Sequence, residues 1–262
     1  MCLLVLAWQA HPRYRLVVAA NRDEFHARPT APLSRWPDPL GILAGRDLRA
    51  GGTWLGVSRD RRFGVITNFR DLQPPKAGAP SRGQLIPRYL GDAYRPGEFL
   101  GALQGEASGY SGFNLLLSDG DSLWYGSNRA EAFARPLPPG VYGLSNGLLD
   151  APWPKLRRIR ERFEDWLRDS PDEPAATEQL FAILNDRAPA ADHEQLPRTG
   201  LSAEWERLLS APFVLHPDYG TRCSSLVRLE DTGALSITER RFEASGTAIG
   251  ETEFRLNAGE WP

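Results

Sequence analysis

Met1-Cys2-Leu3-Leu4-Val5-Leu6-Ala7-Trp8 opens the chain, and after His11-Pro12 a second apolar run, Tyr14 to Ala20, leads into Asn21-Arg22-Asp23-Glu24. Two short runs of mostly branched apolar residues around a Pro-containing break predict a buried antiparallel hairpin. In such a hairpin the end of the second strand lies beside the start of the first. Side chains alternate along a strand, so this reading projects Asn21 and Asp23 beside Cys2 and turns Arg22 to the opposite face.

That arrangement carries chemistry if Met1 is removed, which a small second residue such as Cys permits. Cys2 would then hold a thiol and a free α-amine on one residue. A thiol with a reference pKa near ~8.5 is only slightly ionised at neutral pH and needs a base. The α-amine, with a reference value of about 7.7–8.0, is poised to be that base. Asp23 could orient or tune the amine, and Asn21 could hold its protons. The plainer alternative keeps Met1 and makes Cys2 a small buried hydrophobe.

At 262 residues the chain can bury a substantial core without staples. A net charge of −2 gives no electrostatic case for nucleic acid or an anionic membrane. Two cysteines, Cys2 and Cys223, make no disulfide framework, so the expectation is a reducing, cytoplasmic setting. No signal-peptide pattern is expected from Leu3 to Trp8, and no run approaches the ~18 apolar residues of a membrane span. His11, His26, His193 and His216 lack metal-ligand spacing, so no zinc site is expected; Gly51-Gly52 lacks the spacing and the lysine of a phosphate-binding loop, and no cofactor is expected.

Further along, Arg28 to Pro39 reads as an irregular Pro-rich loop and Gly45 to Gly52 as a glycine-bearing turn. Thr53 to Ser58 and Phe63 to Phe69 predict a hairpin around Arg59 to Arg62, and Asp71 to Pro80 a loop. Short helices are expected over Ser81–Leu90 and Gly97–Leu103. Strands are expected at Phe113–Leu117, Leu123–Gly126 and Val141–Ser145. Trp153, Leu156, Ile159, Phe163, Trp166 and Leu167 fall on one helical face. Shorter helices at Ala175–Leu184 and Ala203–Leu209 follow, then strands at Thr221–Leu229, Leu235–Phe242 and Glu253–Leu256. With no repeat and no linker, the reading is one α+β domain over 1–262, two antiparallel sheets covered by helices.

Several segments together resemble a known family. They are Met1-Cys2-Leu3, Ala19 to Phe25, Ala44-Gly45-Arg46-Asp47, Gly51 to Val57, Thr67-Asn68, Gly143-Leu144-Ser145-Asn146 and Tyr219-Gly220-Thr221-Arg222. The set, from Met1 to about Leu229, resembles the NRDE family, named for the tetrapeptide at Asn21–Glu24 and also called the transport-and-Golgi-organisation family. That family is similar to N-terminal-nucleophile (Ntn) hydrolases of the Cys amidase type. The resemblance implies an αββα four-layer sandwich and a hydrolase acting on an amide or related acyl bond. It also implies Cys2 as nucleophile, Asp23 as the aspartate contacting the new amine, and Asn68 as an oxyanion-hole asparagine. Asn146 matches a second pocket asparagine and Arg222 a late active-site arginine. Ala20 stands where those amidases carry an arginine, so the thiolate lacks one expected cationic neighbour.

That departure motivates a second reading, a non-catalytic binding or carrier protein for a small, partly apolar acyl-type or cofactor ligand. Asn68 and Asn146 also fit ordinary turn positions, Arg222 a surface ion pair, and Trp54 either plain core or a pocket wall.

Overall fold

The computed structural model describes residues 2–37, 41–71, 78–169 and 175–262, apart from the side chain at 193. Met1 and part of the loop expected over Asp71–Pro80 lie outside the described residues. In chain order the elements are β1 (Cys2–Trp8), β2 (Tyr14–Phe25), β3 (Thr30–Arg35), β4 (Ile42–Asp47), β5 (Leu55–Ser58) and β6 (Phe63–Asn68). Next come α1 (Leu85–Leu90), α2 (Pro96–Gln104), β7 (Phe113–Ser118), β8 (Leu123–Ser127), β9 (Ala134–Pro136) and β10 (Gly140–Leu144). The helices α3 (Pro154–Asp169), α4 (Ala175–Leu184) and α5 (Ala203–Leu208) precede β11 (Tyr219–Glu230), β12 (Leu235–Phe242) and β13 (Ala248–Leu256).

Two antiparallel sheets result, β10-β1-β2-β11-β12-β13 and β3-β4-β5-β6-β7-β8-β9. Between them lies an apolar layer that includes Leu4, Leu6, Val18, Val57 and Val65. The alternate residues of the first hairpin, Leu3, Val5, Val17 and Ala19, face α3 and α4 instead. Helix α3 answers with Leu156, Ile159, Phe163, Trp166 and Leu167, the apolar stripe expected from its periodicity. Helices α1 and α2 cover the other sheet through Ile86, Tyr89, Phe99 and Leu100. The α+β four-layer order helix, sheet, sheet, helix is therefore present. Both faces of β1 and β2 are covered, which is why these strands read as unbroken apolar runs.

One segment differs from expectation: the stretch read as an irregular loop contains β3, an edge strand. The glycine-bearing turn read over Gly45 to Gly52 is present after β4, whose last residues, Gly45 to Asp47, it overlaps. Pro32 lies in β3 where the pairing with β4 slips between Ala31 and Ser34, and an edge or bulge tolerates a residue with no N–H. No helix among the described residues is long and apolar enough to cross a membrane.

Candidate active site

Cys2 pairs directly with Arg22 on β2, and Arg22 pairs in turn with Cys223 on β11. These three side chains therefore share the face of their sheet turned toward the other sheet. This corrects the expectation that Arg22 turns away from Cys2. It is Asn21 and Asp23 that take the opposite parity. The thiol thus has a cation beside it, supplied from the neighbouring strand two residues beyond Ala20.

A cavity of about 130 Å³ lies where these strand ends meet the second sheet, and Cys2, Arg22, Asp23, Trp54, Asn68 and Arg82 line it. The Arg22 guanidinium sits 4.4 Å from the Trp54 ring centre and 3.9 Å from a Glu24 carboxylate oxygen. Trp54 takes this place because residue 45 is glycine: a Cβ there would lie 2.3 Å from the indole. The lining is largely polar, with Trp54 and Ile66 as its apolar members. Arg28, also in the lining, is held by Asp47 at 2.6 Å. Arg82 donates to the Gly112 carbonyl at 2.8 Å.

Asp23 is 1% exposed. Its Oδ1 accepts from the Thr221 hydroxyl at 2.7 Å, and its backbone carbonyl accepts from the Tyr219 hydroxyl at 3.1 Å. It lies one residue past Arg22, at the end of the sheet where the chain enters β1, so a free amine on Cys2 would form beside it. Asn68 ends β6 in the lining, and its carbonyl accepts from Asn146 Nδ2 at 2.8 Å. Asn146 is fully buried, and the adjacent Ser145 hydroxyl donates to the Cys2 carbonyl at 3.1 Å. Asn146 thereby ties β10 to β6 behind the cavity rather than lining it.

Two residues singled out from the sequence are placed elsewhere. Asn21 Nδ2 donates to the carbonyls of Leu184 and Pro212 at 2.8 and 3.0 Å, while its Oδ1 accepts from the Ser224 hydroxyl. Its polar atoms are engaged under the helical layer. Arg222 sits at the bulge where the β2–β11 register shifts, and its Nη1 donates to the carbonyls of Phe25, His26 and Arg28 at 3.0 to 3.2 Å. It braces the turn leaving β2 and is not in the cavity wall.

Burial pushes the Cys2 thiol above its ordinary value; Asp23 and Glu24 add to this, and Arg22 opposes it. Cys223 is pushed well up by burial and by Glu239. The two cysteines are free. They stand two strands apart, roughly 9–10 Å at ordinary strand spacing, beyond the ~7 Å a disulfide spans. Among the described residues no cluster of three or more His, Cys, Asp or Glu side chains could hold a metal.

Sequence reasoning missed Arg22, Arg82 and a buried charged group behind Asp23. In that group Arg70 and Glu206 pair at 2.8 Å, and Arg70 lies 4.9 Å from the Trp153 ring centre. Arg22 is placed by the hairpin register, which the sequence does not announce. Nothing in the sequence brings Arg70 and Glu206 together, because 135 intervening residues separate them.

The family described as Transport and Golgi organisation 2 matches residues 1–244. A bovine Transport and Golgi organization protein 2 homolog is 34% identical over 283 residues, covering 98% of this chain and 100% of that protein. The Drosophila melanogaster Transport and Golgi organization protein 2 is 26% identical and covers 91% of each chain. A solved structure of a Caenorhabditis elegans N-acylethanolamine-hydrolyzing acid amidase ortholog is similar over 86% of this chain and 92% of its own. Its identity is 10% and its TM-score 0.46.

Proposed function

We propose that the chain, which belongs to the Transport and Golgi organisation 2 family, is an Ntn-type cysteine amidohydrolase folded as one domain over residues 1–262. Removal of Met1 exposes the Cys2 amine. That amine takes the thiol proton, and the sulfur attacks an amide or related acyl carbonyl. The leaving group departs with the returned proton, and water then hydrolyses the thioester. Asn68 and nearby backbone N–H groups supply the oxyanion contacts. Arg22 favours the thiolate, the part taken in similar amidases by an arginine at the position of Ala20.

The observation that carries this reading is the cavity in which Cys2 meets Arg22, Asp23 and Asn68. With about 130 Å³ of room, it takes a small group, since a cavity of about 150 Å³ holds benzene. The acyl portion buried there is accordingly short or polar. We place the protein in the cytoplasm, where its two free cysteines stay reduced.

The second reading is a small-ligand carrier on the same scaffold. It is favoured by the effect of burial on Cys2, which keeps the thiol protonated while no base has been uncovered. Quenched intact-mass analysis with short-chain aryl esters separates the two. The hydrolase reading expects a transient acyl adduct on Cys2 that is absent from Cys2→Ala. Equal ligand retention by wild type and Cys2→Ala in native mass spectrometry, with no adduct, would establish the carrier instead.

A further inference from the structure

Three arginines line the cavity, Arg22, Arg28 and Arg82, and the first two have carboxylate neighbours within the protein. Arg28 is held by Asp47 at 2.6 Å, and Arg22 lies 3.9 Å from Glu24. Asp71, close in sequence to the cavity wall, is taken by Arg129 at 2.6 Å. Among the described residues no carboxylate pairs with Arg82. Its guanidinium is a fork of several N–H donors, and one of them is engaged, by the Gly112 carbonyl at 2.8 Å. A partly buried cation without a counter-charge costs stability unless something else meets it.

The segment that carries Arg82 is nevertheless held in place on both sides. The Thr53 N–H donates to the Gly83 carbonyl at 3.0 Å, and Gln84 Nε2 donates to the Ala50 carbonyl at 2.6 Å. Residue 52 is glycine at this approach, where a Cβ would lie 2.3 Å from the Gly83 oxygen. Gly52 precedes β5 and Gly112 precedes β7, so Arg82 enters the wall from the side of the second sheet. Cys2 enters it from the first. A fixed arginine with open donors thus shares a small cavity with the thiol, and a carboxylate matches such a fork with two parallel hydrogen bonds.

We propose that Arg82 is a specificity residue that binds a carboxylate at the far end of the acyl group, so that the substrates are monoamides of short dicarboxylic acids. This rests on the reading of Cys2 as the nucleophile. The sulfur forms the C–S bond as the C–N bond breaks, and the amine leaves with the proton that the Cys2 amine took from the thiol. The acyl chain stays anchored at Arg82 through its own carboxylate. Water then adds to the thioester carbonyl, the C–S bond breaks, and the dicarboxylate leaves as the thiol is restored. The carboxylates of the wall do not compete for the role of ligand: Asp47 is engaged by Arg28, and Glu24 accepts from the Phe25 N–H at 2.9 Å beside Arg22.

The test is protection of Cys2 from iodoacetamide by succinate and by succinamide, an uncharged compound of the same size, at constant ionic strength. Peptide mass reads Cys2 labelling in wild type, Arg82→Gln and Arg82→Lys. In wild type, succinate should protect at a concentration about 10–100-fold lower than succinamide, the usual worth of charge-assisted hydrogen bonds. Arg82→Gln keeps a donor for Gly112 and should lose that difference, whereas Arg82→Lys keeps the charge without the fork and should retain part of it. Release of 4-nitroaniline from its succinic monoamide and from its butyric amide reads the same preference in turnover. Wild type should favour the succinic compound in kcat/KM by a similar factor, and Arg82→Gln should not. Equal protection by succinate and succinamide in wild type overturns the proposal, a comparison that stands even if neither variant folds. A succinate preference retained by Arg82→Gln also overturns it, since another group then holds the carboxylate. Arg82-dependent protection with no turnover of either amide and no acyl adduct on Cys2 overturns the hydrolase reading instead, and leaves Arg82 as the carboxylate site of a carrier.

Discussion

Glu206→Ala should lower the unfolding free energy by about 3–5 kcal/mol, the usual cost of removing one member of a buried ion pair. Both side chains of the Arg70–Glu206 pair are 6% exposed and meet at 2.8 Å. Glu206 also accepts from the backbone N–H and the hydroxyl of Thr199, anchoring the segment before α5. Without the carboxylate, Arg70 keeps its charge in a site that water does not reach. Burial already pushes its guanidinium down, and Glu206 is the first influence restoring it. Denaturant titration checks this, and a change under about 1 kcal/mol would show that the site opens to water when the pair is broken. Glu206→Gln, which keeps an acceptor but loses the charge, should fall between the two.

Replacing Arg22 should affect the thiol without a comparable effect on the fold. A cation beside a thiol lowers its pKa by about 1–2 units, so Arg22→Ala should reduce the thiolate fraction near neutral pH by about 10–100-fold. The more basic thiolate is intrinsically more nucleophilic, which recovers about threefold per unit. The net expectation is alkylation of Cys2 slower by roughly 3–10-fold at pH 7, with the profile displaced to higher pH. Arg222→Ala provides the contrast. It unties three carbonyls, so it should cost stability while leaving the Cys2 profile where it was. If Arg222→Ala shifts the profile and Arg22→Ala does not, the cation at the thiol has been assigned to the wrong strand.

The direction of Arg22 shows where the sequence ceases to be legible. The two apolar runs and the break between them announce the first hairpin, but not which residue faces Cys2. Register is set in the turn, where Gln9 adopts a φ of 47° and its N–H bonds the Arg15 carbonyl. Nothing about Gln9 or Pro12 advertises that geometry, and a one-residue difference moves every side chain to the other face. The α3 stripe was legible because helical period alone selects its buried face. β3 was not, since Pro32 and its single buried residue, Leu33, look like loop until an edge position excuses them. At the site, Cys2 and Asp23 could be named from the first hairpin itself, whereas Asn68 and Trp54 were named through the family resemblance of their segments. Arg82 arrives from a segment with no such signal, and only packing brings it into the cavity wall.

The central claim is that Cys2 acts as the first residue of the mature chain, and intact mass of the freshly purified, folded protein tests it most directly. The account predicts a mass lower than that of the 262-residue chain by one methionine residue, with cysteine as the first residue on sequencing. Folded protein that keeps Met1 would contradict it, because the Cys2 nitrogen would then be an amide unable to take the proton from its own thiol.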